Sequence, residues 1–339
     1  MKITIDRHIP FIEGAFENVC EVNYLPSYEV NNQSIKNSDA LIVRTRTKCD
    51  KNLLMGTKVK FIASATTGDD HIDFDFCTKN GINIFVAKGC NASSVAQYIG
   101  SAIGFWLKNK NNFKNITIGI VGCGFVGKEV KKLADLLGFN ILLNDAPLEK
   151  IDKSQKYVSL KTIAENADII TFHTPLTFGG EFATYHLANK KFFDNCKHNP
   201  LIINTARGGV IDEKALLKAY HNEQISDFIL DCWENEPDIS LDCLKNTLLA
   251  TPHIAGYSAD GKANATKMCV DAINNFFLLG LDDFKINLNA KKKILENDSL
   301  LQTLLENYDI KNDSDLLKHS PKDFEYFRNH YHERREIDL

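Results

Sequence analysis

The 339-residue chain is long enough for two domains of ordinary size and a small third. Hydrophobic residues make up 44% and charged residues 25%, which excludes a disordered chain, a collagen-like fibre and a low-complexity solenoid. Lys and Arg number 40 against 44 Asp and Glu, and the net charge of −4 argues against a nucleic-acid partner bound by phosphate neutralisation. Nine cysteines form no Cys-x-x-Cys pair and do not cluster with the ten histidines at ligand spacing, so no metal is expected. The N-terminus lacks a signal-peptide pattern, which with the unpaired cysteines suggests a reduced, cytoplasmic protein. The longest uncharged stretch, between Lys88 and Lys108, carries Asn91, Ser93, Ser94, Gln97 and Ser101 and fails as a membrane span.

Along the chain, short apolar runs at 2–5, 40–43, 60–64 and 82–86 predict strands separated by helix-length segments, the pattern of a parallel sheet. Asn91 is the expected N-cap of a long helix ending near Lys108, followed by a solvated polar connector at 108–112. A second α/β series has strands expected at 118–121, 139–143, 168–172, 201–204, 226–230 and 247–250. A helix from Ala259 to about Gly280 would return the chain to its first domain. The expected division is 1–95 with 255–280 as the substrate-binding domain, 96–254 as a nucleotide-binding domain, and a polar C-terminal domain at 281–339.

Gly122-Cys123-Gly124-Phe125-Val126-Gly127 is a G-x-G-x-x-G sequence between an apolar strand and an amphipathic segment, with Asp145 placed 18 residues beyond Gly127. That context makes it a dinucleotide fingerprint: glycines for a tight turn and close approach, a helix N-terminus for the pyrophosphate, and an acid for the ribose hydroxyls. Gly122, Gly124, Phe125, Val126, Gly127 and Asp145 are thus the candidate contacts. The charge on Asp145 favours NAD over NADP, since no Arg follows in Ala146-Pro147-Leu148-Glu149. Three later polar segments each follow a predicted strand: Asn204-Thr205-Ala206-Arg207, Asp231-Cys232-Trp233-Glu234-Asn235-Glu236, and Thr251-Pro252-His253. Beside a nicotinamide, His253 can exchange the hydroxyl proton, Glu236 can orient the imidazole, and Arg207 can bind a carboxylate or carbonyl. Taken singly, each also has a structural explanation: a turn histidine, a helix-start acid, a surface ion pair.

These motifs, with Asn-Thr-Ala-Arg-Gly-Gly-Val-Ile-Asp and Pro-His-Ile-Ala-Gly, resemble the D-isomer-specific 2-hydroxyacid dehydrogenases. The resemblance implies two Rossmann-like, doubly wound parallel-sheet domains with a cleft between them, NAD as cofactor, and Arg207, Glu236 and His253 as catalytic residues. Val-Arg-Thr-Arg-Thr-Lys at 43–48, Ala-Ser-Ala-Thr-Thr-Gly at 63–68, Lys-Gly-Cys-Asn-Ala at 88–92 and the C-terminal Glu-Arg-Arg-Glu are similar to a branch acting on a phosphorylated hydroxy acid. That branch implies substrate contacts at Thr45, Thr66 and Tyr257, further NAD contacts at Thr174, Asp231 and Gly256, and a homodimer built on a C-terminal domain. Arg44, Arg46 and Lys88 are candidate phosphate binders. Two departures stand out: Gly68-Asp69-Asp70-His71 replaces the branch's Gly-Thr-Asp-His, and the C-terminal segment is short. Asp69 is expected to point away from the substrate. The alternatives are a sibling enzyme for another acid, such as 3-phosphoglycerate, or an NAD-sensing binding protein on the same scaffold.

Overall fold

The computed structural model describes residues 1–108, 115–290, 292–293 (backbone only), 299–332 and 334–338. Most of the expected polar connector and Glu333 of the C-terminal motif lie outside the described residues. The chain forms two units, Met1–Asn91 with Ser258–Ala290, and Ala92–Tyr257 with Lys291–Leu339.

The first unit is built on strands β1 (Lys2–Asp6), β2 (Glu21–Leu25), β3 (Ala40–Val43), β4 (Phe61–Ser64) and β5 (Asn83–Val86). They pair in parallel in the order β2-β1-β3-β4-β5. Alternate residues of one strand go to opposite faces. Ile3, Ile5, Ala40 and Ile42 therefore pack on Cys269, Val270 and Ile273 of the helix Ala259–Phe277. Leu41, Val43 and Ile62 pack on Leu53, Leu54 and Cys77 behind the sheet. Burial on both faces explains why β3 is apolar throughout and β4 is apolar up to Ser64. The return helix, capped by the Ser258 hydroxyl accepting from the Gly261 N–H at 2.8 Å, packs within this unit. β2 is not evident in the sequence. It is an edge strand with no fully buried residue, so Glu-Val-Asn-Tyr-Leu lacks the apolar density of its neighbours.

In the second unit, β6 (Thr117–Val121), β7 (Asn140–Asn144), β8 (Ile169–Phe172), β9 (Leu201–Asn204), β10 (Asp227–Leu230) and β11 (Leu249–Ala250) form a parallel sheet ordered β11-β10-β9-β8-β6-β7. A single parallel bridge from Leu143 to Tyr157 continues the sheet beyond β7, in the Rossmann order. The order in which strands are added reverses between β6 and β8, which opens a crevice at the carboxyl ends of those parallel strands. The helix Ala92–Leu107 covers one face through Val95, Ile99, Ala102 and Ile103.

The expected separate domain at 281–339 is divided instead. Residues to 290 cluster with the first unit and 291–339 with the second. The C-terminal helices Leu300–Asn307 and Ile310–His319 have too few apolar residues for a core of their own. Leu304 sits over Gly100, whose missing side chain leaves it room, and Leu317 and Phe324 join the core of the second unit. The Ser314 hydroxyl accepts the Ala250 N–H at 3.0 Å, occupying a backbone donor of edge strand β11.

Candidate active site

The turn after β6 holds the fingerprint. A Cβ on Gly127 would collide with the Gly122 carbonyl oxygen, so only glycine lets the helix Phe125–Leu136 start this close to the strand. A Cβ on Gly124 would meet no described atom within 4 Å, so the helix N-terminus faces open space. Phe125 and Val126 form the first turn of that helix. Asp145 follows β7 as expected and braces the turn. One carboxylate oxygen accepts the Cys123 N–H at 2.8 Å and the other caps the next helix through the Leu148 N–H at 2.9 Å. Thr174, just past β8, has a buried hydroxyl with no hydrogen-bond partner among the described residues. An orphaned buried hydroxyl is costly, and a polar ligand group would satisfy it. These residues fit a dinucleotide.

The second cluster follows β9, β10 and β11. His253, at φ 57°, presents Nδ1 to Glu236 Oε2 at 2.8 Å. The other Glu236 oxygen accepts the Trp233 N–H at 2.9 Å. Burial opposes ionisation of Glu236, but the His253 hydrogen bond and charge, the Trp233 N–H and Arg328 together hold its carboxyl below the ordinary value. An ionised carboxylate only accepts, so His253 Nδ1 carries the proton and Nε2 is left to act. Asp231 is buried behind this pair. It accepts from the Thr251 hydroxyl at 2.7 Å and from the Ile254 and Ala255 N–H groups at 2.7 and 3.0 Å, shaping the loop that carries His253 and Gly256. Burial pushes its carboxyl above the usual range. The Tyr98 hydroxyl shares a 2.6 Å hydrogen bond with Thr251, tying the loop to the long helix.

Arg207 follows β9, and Nη1 donates to the Ala206 carbonyl at 2.8 Å. Gly208 next to it is required. A Cβ there would collide with the Trp233 carbonyl, so the Arg207 and Glu236 loops touch backbone to backbone. Cys232 joins the three segments. Its thiol lies 3.4 Å from the Ala206 carbonyl, and its sulfur lies within 4.8 Å of Glu236 and His253 ligating atoms. Burial raises that thiol well above its ordinary pKa, and the facing carboxylate and imidazole already bond each other, so hydrogen bonding accounts for the cluster. The C-terminal segment also reaches this region. Arg328 Nη1 lies 3.9 Å from Glu236 Oε2, and its guanidinium stands beside the Tyr257 side chain. Cys232 lies inside one of the three quoted segments but has no role assigned by it, and Arg328 lies in no motif, because both enter the site through contacts rather than spacing.

In the first unit, Thr45 is exposed after β3, and Thr66 after β4 shares a 2.9 Å hydrogen bond with Ser64. Two expected phosphate cations prove to be paired. Arg44 makes a two-pronged contact with buried Asp6 at 2.9 and 3.3 Å, and Lys88 meets Asp69 at 2.8 Å. The partly exposed Asp69 therefore turns toward a lysine, which answers its charge.

A family model described as the NAD-binding domain of D-isomer specific 2-hydroxyacid dehydrogenases matches residues 104–255. An erythronate-4-phosphate dehydrogenase of Bacteroides fragilis is 47% identical over 339 residues, covering 99% of this chain and 97% of its own. That of Porphyromonas gingivalis is 38% identical, covering 99% and 94%. Among solved structures, an NAD-bound 3-phosphoglycerate dehydrogenase of Entamoeba histolytica superposes with a TM-score of 0.67 at 28% identity, covering 85% of this chain and 99% of its own.

Proposed function

The chain belongs to the erythronate-4-phosphate dehydrogenases of the D-isomer specific 2-hydroxyacid dehydrogenase family, and from that premise we propose that it oxidises 4-phospho-D-erythronate to 2-oxo-3-hydroxy-4-phosphobutanoate, a step toward pyridoxal 5′-phosphate. The observation that carries this is the match along nearly the whole chain, joined to a carboxylate–imidazole pair at 2.8 Å on a fingerprint-bearing sheet.

When bound, NAD supplies the acceptor for the hydrogen and electron pair leaving C2. The turn Gly122–Gly127 would hold the pyrophosphate and Asp145 the adenosine ribose, with Thr174, Asp231 and Gly256 completing the binding. His253 Nε2 takes the C2 hydroxyl proton and returns it in the reverse direction. Glu236 keeps Nδ1 protonated and stabilises the imidazolium that forms. Arg207 pairs with the substrate carboxylate and with charge developing on the C2 oxygen. Thr45, Thr66 and Tyr257 offer hydroxyls to the substrate's polar groups. The proposal includes a cytoplasmic homodimer. The C-terminal resemblance supports the dimer, and light scattering at twice the chain mass is the expected result.

The test is formation of NADH and of the 2-oxo product from 4-phospho-D-erythronate, D-3-phosphoglycerate and unphosphorylated D-erythronate, with a 2-oxo acid present to recycle retained NADH. Selective oxidation of the first acid is expected. Preference for 3-phosphoglycerate overturns the substrate assignment, and NAD binding without turnover of any acid favours a sensor.

A further inference from the structure

We propose that Arg328, on the C-terminal helix Phe324–Asn329, is a positioning residue of the acid–base site: it keeps the negative charge on Glu236 and so keeps that carboxylate's hold on His253 Nδ1. This rests on the assignment of Glu236 and His253 as the acid–base pair.

Three observations carry it. The guanidinium is mostly buried, at 27% side-chain exposure, and Nη1 stands 3.9 Å from the Glu236 oxygen that bonds His253. It also stands beside the Tyr257 side chain. Glu325, at 3.7 Å from the same Nη1, steadies the arginine from behind. The third observation is the anchoring of the segment. Arg334 donates to the carbonyls of Ile254 and Ala255, in the loop between His253 and Tyr257, and lies over the Tyr308 ring at 4.4 Å. Tyr331 packs edge-on against Tyr257, with ring centroids 6.1 Å apart.

Among the described residues, the other charged and titratable groups facing the pair are Asp231 and Cys232 after β10, Arg207 after β9, Glu213 on the helix Glu213–His221, Tyr257, and Glu325 on the arginine's own helix. All but Arg207 are acids, a thiol or a phenol, which do not help to hold an anion at Glu236. Arg328 is the guanidinium in near contact with that carboxylate. Removing it raises the pH at which Glu236 takes up a proton and releases its hold on His253 Nδ1.

The experiment compares Arg328→Gln, which keeps an amide donor but loses the charge, with Arg328→Lys and Tyr257→Phe. The acid limb of the kcat/KM–pH profile is read with whichever acid of the panel turns over. Arg328→Gln is expected to move that limb to higher pH by about 0.5–1 unit. Arg328→Lys restores most of the shift, and Tyr257→Phe raises KM without moving the limb. NADH titration checks that each variant retains its nucleotide site. A limb that stays within about 0.1 unit in Arg328→Gln overturns the proposal. If no acid of the panel turns over, carboxyl-carbon NMR of Glu236 reads the same shift directly, so failure of the substrate assignment remains distinguishable. If Arg328→Gln fails to fold, Arg328→Met carries the same expected shift and the same overturning result.

Discussion

At the scale of single residues, chemistry follows from what each side chain is offered as partner. Arg207 is anchored through the Ala206 carbonyl, and the planar fork of a guanidinium matches a carboxylate with two parallel donors. Arg207→Met is therefore expected to lower kcat by about a hundredfold to a thousandfold while NADH affinity is retained, as measured by steady-state turnover and fluorescence titration. Unchanged turnover would remove it from the reaction. Glu213 is a different case. It is buried, accepts the Glu234 N–H at 2.7 Å, and burial pushes its carboxyl up to about 7. A folded-state value raised above the unfolded one of 4.5 means that the native state binds the proton more tightly. Its stabilising contribution is complete below pH 4.5 and is lost as pH rises through 7. Glu213→Gln, which keeps an acceptor but never ionises, should match the wild type in acid and be more stable at pH 8 by about 2 kcal/mol. Denaturant midpoints at the two pH values measure the difference. The identities of Arg207, Glu236 and His253 as candidates were legible from the polar segments that follow predicted strands. The pairing of Arg44 with Asp6 was not, since 38 residues separate the partners and no local pattern joins them.

At the scale of elements, the strands were legible wherever both faces are buried, because most positions must then be apolar, as in Ala40–Val43 and in the Leu-Ile-Ile that opens Leu201–Asn204. The edge strand Glu21–Leu25 escaped because it pairs with β1 alone and is half solvated. The turns that carry the site depend on close backbone approach. Gly208 is the sharpest instance, since its missing side chain lets the loop after β9 rest on the loop after β10. Gly208→Ala forces a backbone shift there and should cost about 1–3 kcal/mol of stability, with a loss of turnover larger than its loss of NADH affinity. A thermal melt and kinetics together read both effects. A variant with native stability and activity would mean that the two loops can part without consequence.

At the scale of the whole molecule, the C-terminal residues are part of the nucleotide-binding unit rather than a body of their own. Arg334 is the fastening point: half-buried and donating to the carbonyls of Ser94, Ile254 and Ala255, it joins the tail to the long helix and to the loop after His253. Arg334→Met leaves three carbonyls short of a donor. We expect it to lower stability by about 2–4 kcal/mol and to reduce kcat through the His253 loop, with denaturant melts and turnover as the measurements. Wild-type kcat in a folded variant would show that the loop holds itself. The sequence by itself determined the parallel α/β architecture, the return helix, the fingerprint turn and the identity of the candidate acid–base pair. Those depend on periodicity, glycine placement and residue chemistry within short stretches of chain. Only the tertiary structure decided that Cys232 joins the three candidate segments, that Asp231 shapes the His253 loop, and that Arg328 stands beside Glu236. Each of those depends on contacts between stretches far apart in the chain, and such contacts are chosen by packing, which leaves no periodic mark in the residues themselves.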